Sequence, residues 1–318
     1  LHVWSCLEEN WAFSTWQTAA ETGFTPHFFT LEQFEEAKAC LQDSEILYAH
    51  SLDLLKAGPK TLRWYCCSYA GVDPYCREPS PFPSPDCLLT NSNGYGVTIA
   101  EHVIMVLLML FRRMPEYEAV VRNRDWSNQL AVRSIYENAF VILGTGNIGQ
   151  TTAERLRGMG AAKITGLSRS GKGPDCFDEV RPITELDEIL PETRTLIMAL
   201  PGTPETRHIL DRRRIGLLPE GAYVVNVGRG SAIDQEALAE ALNGGHLGGA
   251  ALDVMEPEPL PKDDPLWTAR NLILTPHVSG NMTLGYTCDV NVEMFCGDLR
   301  NYAAGKPLRH LVDRAKGY

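Results

Sequence analysis

A chain of 318 residues, 44% of them apolar, is long enough for two domains of ordinary size, each with its own core. Twenty-nine basic against forty acidic residues leave a formal charge of −11 with no block of like charge, so neither nucleic acid nor an anionic membrane is an expected partner. Nine scattered cysteines, without a CxxC and without a Cys/His cluster at ligand spacing, read as buried thiols in a reducing compartment and imply no metal site.

The chain opens on Leu1 with no signal-like segment, and the cytoplasm is the expected compartment. Short apolar runs, ILYA (46–49) and LRWYCC (62–67), alternate with helical patterns such as LEQFEEAKACL (31–41), which is the β/α alternation of a first, smaller domain. Residues 73 to 96 hold five prolines and several turn formers, a loop and a crossing point between domains. Thr98 is placed to cap a helix carrying IAEHVIMVLLMLFRR, whose longest apolar run, Val103 to Phe111, is far shorter than the ~20 residues of a membrane span. From Ala139 the order is strand AFVIL, glycine turn, helix, strand KITGL, helix, strand TLIMAL, helix, strand AYVVNV, helix, strand GAALDV and strand LILT. Strands spaced by helical stretches predict a parallel, doubly wound sheet, and a last helix and tail after about residue 281 would return to the first domain.

LGTGNIG (143–149) sets Gly144, Gly146 and Gly149 in GxGxxG spacing between a strand and a helix. The first glycine permits a tight turn, the second admits a pyrophosphate, and the third lets helix and strand approach. Asn147 and Ile148 lie with Gly149 where the helix N-terminus faces the anion. Where an NAD site places an acid after its second strand, this sequence has Ser168, Arg169 and Ser170. A guanidinium pairs with a 2′-phosphate and serine hydroxyls bond its oxygens, so NADP(H) is expected in preference to NAD(H). The alternative is a solvated loop with Arg169 pointing outward.

Three charged residues follow strands on the carboxyl-end side of the sheet: Arg229 after AYVVNVG, Glu258 after ALDVMEP and His277 after LILTP. Hydride transfer to a 2-oxo acid needs a proton donor and a cation. His277 suits the first role, oriented by Glu258, and Arg229 suits the second.

At these motifs the chain resembles the D-isomer-specific 2-hydroxyacid dehydrogenases. The resemblance runs through YAGVDP (69–74), IAEHV (99–103), LGTGNIG, LPGTPETRHIL (200–210), NVGRGSAIDQEAL (226–238), ALDVMEPEPLP (251–261) and LTPHVSG (274–280). It implies two Rossmann-like domains, with a doubly wound dinucleotide-binding domain (97–280) inserted in a smaller flavodoxin-like substrate domain (1–96 and 281–318). It gives Arg229, Glu258 and His277 the catalytic roles, Tyr69, Ala70 and Gly71 the grip on the substrate carboxylate, and Asp253 a place beside the cofactor. It also implies a homodimer built on the long-helix region, and as substrates small 2-oxo acids and D-2-hydroxy acids. The ending VDRAKGY and the serine–arginine–serine cluster look similar to the NADPH-preferring glyoxylate and hydroxypyruvate reductase branch. Glu258 in place of Gln argues against the formate dehydrogenase relatives, and the end at residue 318 against the larger phosphoglycerate dehydrogenases. A second reading is a dinucleotide-sensing corepressor of the same fold, less expected because those proteins prefer NAD(H) and carry extensions. LYAHS (47–51) follows no substrate rule, and Tyr69 reads equally as a packing group.

Overall fold

ILYA and WYCC are buried at every position, the pattern of strands covered on both faces, and each lies inside a parallel sheet. The computed structural model describes residues 2–4, 9–127, 129–280 and 284–317. The first elements are β1 (His2–Trp4), α1 (Glu9–Glu21), β2 (His27–Phe29), α2 (Phe34–Leu41), β3 (Ile46–Ala49), α3 (Leu52–Lys56), β4 (Trp64–Cys67) and β5 (Leu88–Asn91). Their strands form a five-stranded sheet of order β2-β1-β3-β4-β5, parallel at every pair. The helix expected over 31–41 opens as a 3-10 turn, Leu31–Gln33, where the Thr30 amide donates to Gln33 Oε1 at 3.0 Å before α2 begins.

The next elements are α4 (Gly96–Phe111), α5 (Met114–Arg122), β6 (Ala139–Leu143), α6 (Asn147–Gly158), β7 (Lys163–Ser168), β8 (Glu179–Pro182), α7 (Leu186–Ile189), β9 (Thr195–Met198), α8 (Arg212–Leu217), β10 (Ala222–Asn226), α9 (Gln235–Asn243), β11 (Leu247–Leu252) and β12 (Leu272–Leu274). The seven strands run in the order β12-β11-β10-β9-β6-β7-β8, again all parallel. From β6 the chain winds first to β7 and β8, then returns to β9 on the other side and runs outward to β12. The strand order therefore reverses between β6 and β9, and such a reversal opens a ligand crevice at the carboxyl ends of the strands.

Thr98 is not the helix cap. α4 begins two residues earlier because Gly96 is buried against Asn147 and Thr151 of α6, so Thr98 lies within its first turn. The buried positions 96, 99, 100, 103, 106, 107, 110 and 111 make one stripe at helical spacing. The stretch after β7 is also not a single helix: β8 comes first. Its four residues, EVRP, carry charge at two positions and end in proline, as edge strands do to discourage further pairing. Lys163 of β7 pairs with Glu179 of β8 at 3.0 Å.

The chain divides into two units, Leu1–Tyr95 with Met282–Tyr318, and Gly96–Asn281. The return of the chain to the first unit is α10 (Gly285–Ala303), which packs on α1. Phe295 of α10 stacks on Tyr48 at 4.6 Å and lies 5.4 Å from Trp64, sealing one face of the smaller sheet. Among the described residues, no helix is long and apolar enough to cross a membrane.

Candidate active site

The glycine turn sits at the strand reversal. Gly144 has φ +100°, a conformation a side chain disfavours, and a Cβ there would lie 2.6 Å from the Ala199 carbonyl at the end of β9. A Cβ on Gly149 would run into the Gly144 carbonyl, so this glycine sets how closely α6 meets the turn. Gly146, the N-cap of α6, has open space where its side chain would stand. The first amides of α6, on Asn147, Ile148 and Gly149, have no acceptor within their own helix and carry the positive end of its dipole. An open cradle lined by unpaired amides fits a pyrophosphate.

Beyond β7 the chain closes on itself. Ser168 Oγ donates to the Lys172 carbonyl at 2.8 Å and accepts from the Lys172 amide at 3.1 Å, while Gly171 turns at φ +66°. Thr145 of the glycine turn also reaches the Lys172 carbonyl, at 3.4 Å. The Ser168 hydroxyl thus shapes the loop through its own backbone. Arg169 and Ser170 are exposed. The Glu205 carboxyl is held below its usual range by its own amide and the Thr203 hydroxyl, with a contribution from the Arg169 guanidinium, which places Arg169 within electrostatic reach of the loop after β9.

The carboxyl ends of β10, β11 and β12 carry the remaining charged groups. Arg229 is half-buried, and its loop is braced by Asn226, whose side chain accepts from the Gly228 amide at 3.0 Å and donates to the Arg229 carbonyl at 2.8 Å. A Cβ on Gly230 would collide with the Met255 backbone, so the arginine loop packs directly under the turn that bears Glu258. Glu258 uses both oxygens: Oε1 accepts the Met255 amide at 2.9 Å and Oε2 faces His277 Nδ1 at 2.7 Å. Arg229 and the Glu258–His277 pair thus come from three adjacent strands of one sheet.

His277 is held at φ +54°, a backbone state on the order of 1–3 kcal/mol above the ordinary one for a side chain of this kind. Asp253 at the end of β11 compensates. Its carbonyl accepts the His277 amide at 2.9 Å; its Oδ1 accepts Thr275 Oγ1 at 2.6 Å and the Val278 amide at 2.9 Å; its Oδ2 accepts the Ser279 amide at 2.9 Å. The Asp253 carboxylate is 1% exposed, so these donors replace the water it has lost. Asp253 thus clamps the His277 loop.

In the other unit, Tyr69, Ala70 and Gly71 follow β4, and their carbonyls are tied down. Tyr69 O accepts the Ser92 amide at 3.4 Å, Ala70 O accepts Asn91 Nδ2 at 2.8 Å, and Gly71 O accepts the Cys67 thiol at 3.9 Å. Burial pushes Cys67 up to about 12, which keeps it a neutral donor. In a planar trans peptide the N–H points opposite the C=O, so anchoring the Tyr69 and Ala70 carbonyls turns the Ala70 and Gly71 amides the other way. His50, from the unexplained LYAHS, packs on the Tyr69 ring at 4.2 Å with Tyr75 OH 3.4 Å from its Nδ1, and burial lowers its pKa. Tyr69 is 40% exposed on its other side.

Several bracing residues escape the motif reading. Gln235 exchanges two hydrogen bonds with the Glu256 backbone, at 2.9 and 2.7 Å, and Arg207 pairs with the Glu256 carboxylate at 2.9 Å. Thr275 and His102 complete the surroundings of Asp253. All four lie inside stretches that carry the family resemblance, His102 in IAEHV, Arg207 in LPGTPETRHIL, Gln235 in NVGRGSAIDQEAL and Thr275 in LTPHVSG, yet nothing in those stretches names their partners.

A parallel sheet with a glycine cradle at its switch point and an acid-backed imidazole at the same carboxyl end is the arrangement of a dinucleotide-dependent oxidoreductase. The profile "D-isomer specific 2-hydroxyacid dehydrogenase, NAD binding domain" matches residues 104–279, and the chain belongs to the D-isomer specific 2-hydroxyacid dehydrogenase family. It is 33% identical over 254 residues to glyoxylate/hydroxypyruvate reductase A of Salmonella newport (strain SL254), covering 78% of this chain and 80% of that one. A family member from Aeromonas salmonicida subsp. salmonicida A449 superposes with TM-score 0.82 at 31% identity, covering 98% of both chains. An NADPH-dependent glyoxylate/hydroxypyruvate reductase from Sinorhizobium meliloti, solved with NADP and sulfate, superposes with TM-score 0.80 at 26% identity over 100% of this chain and 98% of that one.

Proposed function

We propose that the protein reduces small 2-oxo acids, glyoxylate and hydroxypyruvate among them, to D-2-hydroxy acids with NADPH. The observation that carries this reading is the 2.7 Å Glu258–His277 pair, at the carboxyl end of the same sheet that carries the open glycine cradle. Gly144, Gly146, Asn147, Ile148 and Gly149 would hold the dinucleotide, which supplies the hydride when bound. His277 gives its Nδ1–H to Glu258, so Nε2 is the nitrogen that protonates the carbonyl oxygen as the hydride arrives at carbon, leaving a neutral imidazole with its Nδ1–H still on the carboxylate. Arg229 supplies positive charge for the substrate and the developing alkoxide. The outward amides of Ala70 and Gly71, with the neighbouring Tyr69, take the substrate carboxylate. Arg169 and Ser170 favour a cofactor with a 2′-phosphate, and the relatives' names support both the substrate class and NADPH. Asp253 serves the cofactor side through the loop it clamps.

The working form is read as a homodimer. α5 has no buried residue, and Met105, Met114, Val121, Trp126 (91% exposed), Val132 and Tyr136 are exposed apolar side chains from one stretch of chain around it.

The test is a panel of 2-oxo acids assayed with NADPH and with NADH. Turnover of glyoxylate or hydroxypyruvate with a higher kcat/KM for NADPH is the expected result. Tight dinucleotide binding without turnover of any member of the panel would overturn the reading.

A further inference from the structure

The Asp253 clamp has an outer member. His102, half-buried on α4, brings Nε2 to 3.2 Å from Thr275 Oγ1, the same hydroxyl that lies 2.6 Å from Asp253 Oδ1. A threonine hydroxyl has one proton to give and lone pairs to accept with. At 2.6 Å from a buried carboxylate oxygen that proton must lie between the two oxygens, because two bare acceptors at that separation repel. Oδ1 also takes the Val278 amide and Oδ2 the Ser279 amide, surroundings that suit a carboxylate and leave no place for an acid proton. The Thr275 proton therefore goes to Asp253, and His102 must donate to Thr275.

This fixes the tautomer of His102, with its proton on Nε2. Burial lowers the His102 pKa against the opposing pull of Asp253, so the ring works as a neutral donor at neutral pH. It also gives α4 a mechanical role. The proton order runs one way, from His102 to Thr275 to Asp253, and Asp253 holds Val278 and Ser279 on the far side of His277. Without the His102 donor the Thr275 hydroxyl loses the bond that aims it. Asp253 Oδ1 then has a looser partner, and the left-handed turn at His277 loses part of what compensates its strain.

We propose that His102 is a positioning residue for the reduction: a neutral Nε2–H donor that orients Thr275 toward Asp253 and so sets the loop presenting His277. The catalytic consequence rests on the function proposed above, whereas the tautomer does not depend on turnover.

Two measurements test it on the full chain. In ¹⁵N-histidine NMR of the unmodified protein at neutral pH, His102 is expected as the Nε2–H tautomer; a protonated Nδ1 with a bare Nε2 would mean the proton order runs the other way and would overturn the proposal. In kinetics, His102→Phe keeps a planar ring but removes the donor, and kcat should fall about three- to tenfold, the scale of one buried hydrogen bond, with KM for NADPH unchanged. His102→Gln returns an N–H donor at similar reach and should recover most of the loss. Equal kcat in the Phe variant and the unmodified enzyme, or a Gln variant no better than Phe, also overturns it. If the unmodified protein turns over no 2-oxo acid, the functional reading fails while the NMR result still decides the tautomer; if the Phe variant does not fold, the NMR and the Gln variant decide.

Discussion

Two sets of loops at the same end of the larger sheet are built on opposite plans. Those after β11 and β12 are cross-braced: Asp253, Glu258 and His277 are held by side-chain bonds to residues far away in the chain, and a buried charge sits at the centre. The loop after β7 is a self-contained turn, closed by Ser168 on Lys172 four residues later, with Arg169 and Ser170 exposed. The first plan suits a group that must meet a reacting atom within a few tenths of an ångström. The second suits recognition of one charge at the rim, where a single residue decides preference and geometry is forgiving. Substitutions in the braced loops should therefore change kcat, and substitutions in the rim loop should change cofactor choice alone.

The largest effect is expected from His277→Ala, which removes the proposed proton donor from the braced region. We expect kcat for 2-oxo acid reduction to fall on the order of 10²-fold or more, with the dissociation constant for NADPH close to unchanged. Turnover near the original rate at neutral pH would give the proton to another group and break the comparison at its strongest point. Arg169→Asp, in the exposed loop, should invert or erase the proposed preference for NADPH, a change of about tenfold or more in the ratio of kcat/KM values, while kcat at saturating cofactor holds. A large fall in kcat with both cofactors would show that the rim loop is coupled to the chemistry after all.

The same contrast marks what was legible in the sequence. Strands buried on both faces, such as AFVIL and TLIM, announce themselves as nearly unbroken apolar runs. Arg229, Glu258 and His277 stand out because a charge a few residues past a strand lies toward the ligand-binding end of the sheet. β8 stays hidden: an edge strand of four residues, half of them charged, looks like loop. The bracing stays hidden for a different reason. Thr275 meets Asp253 across 22 positions and His102 across 173, pairings created by strand order and by the docking of α4, which leave no periodic trace. Ser168 is the opposite case: its partner is only four residues away, in a local turn that the serine–arginine–serine cluster does not announce.

The smallest effect, and the one that tests how far the bracing extends, is expected from Gln235→Ala. Gln235 opens α9 behind the Asp234 cap, whose side chain accepts the Ala237 amide at 3.0 Å, so its position is set by the helix and not by the site. From there its amide grips the Glu256 backbone at both ends, donating to the carbonyl at 2.9 Å and accepting the amide at 2.7 Å. Glu256 lies two residues before Glu258, in the turn that Glu258 itself closes through Met255. Removing the side chain leaves that closure and the Arg207–Glu256 pair in place, so the turn should loosen and not open. Because these bonds are exposed, water replaces them, and the loss of stability should stay within about 1 kcal/mol. A carboxylate that wanders by a fraction of an ångström nevertheless presents its imidazole less often in the productive pose, and kcat should fall about two- to fivefold with KM for the 2-oxo acid nearly constant. Single-turnover oxidation of NADPH, followed beside a thermal melt, separates the two effects: a slower hydride step at an unchanged Tm places Gln235 within the braced region. An unchanged hydride step would mean that the bond from Glu258 to Met255 suffices to hold the turn, and that the bracing ends at Glu258.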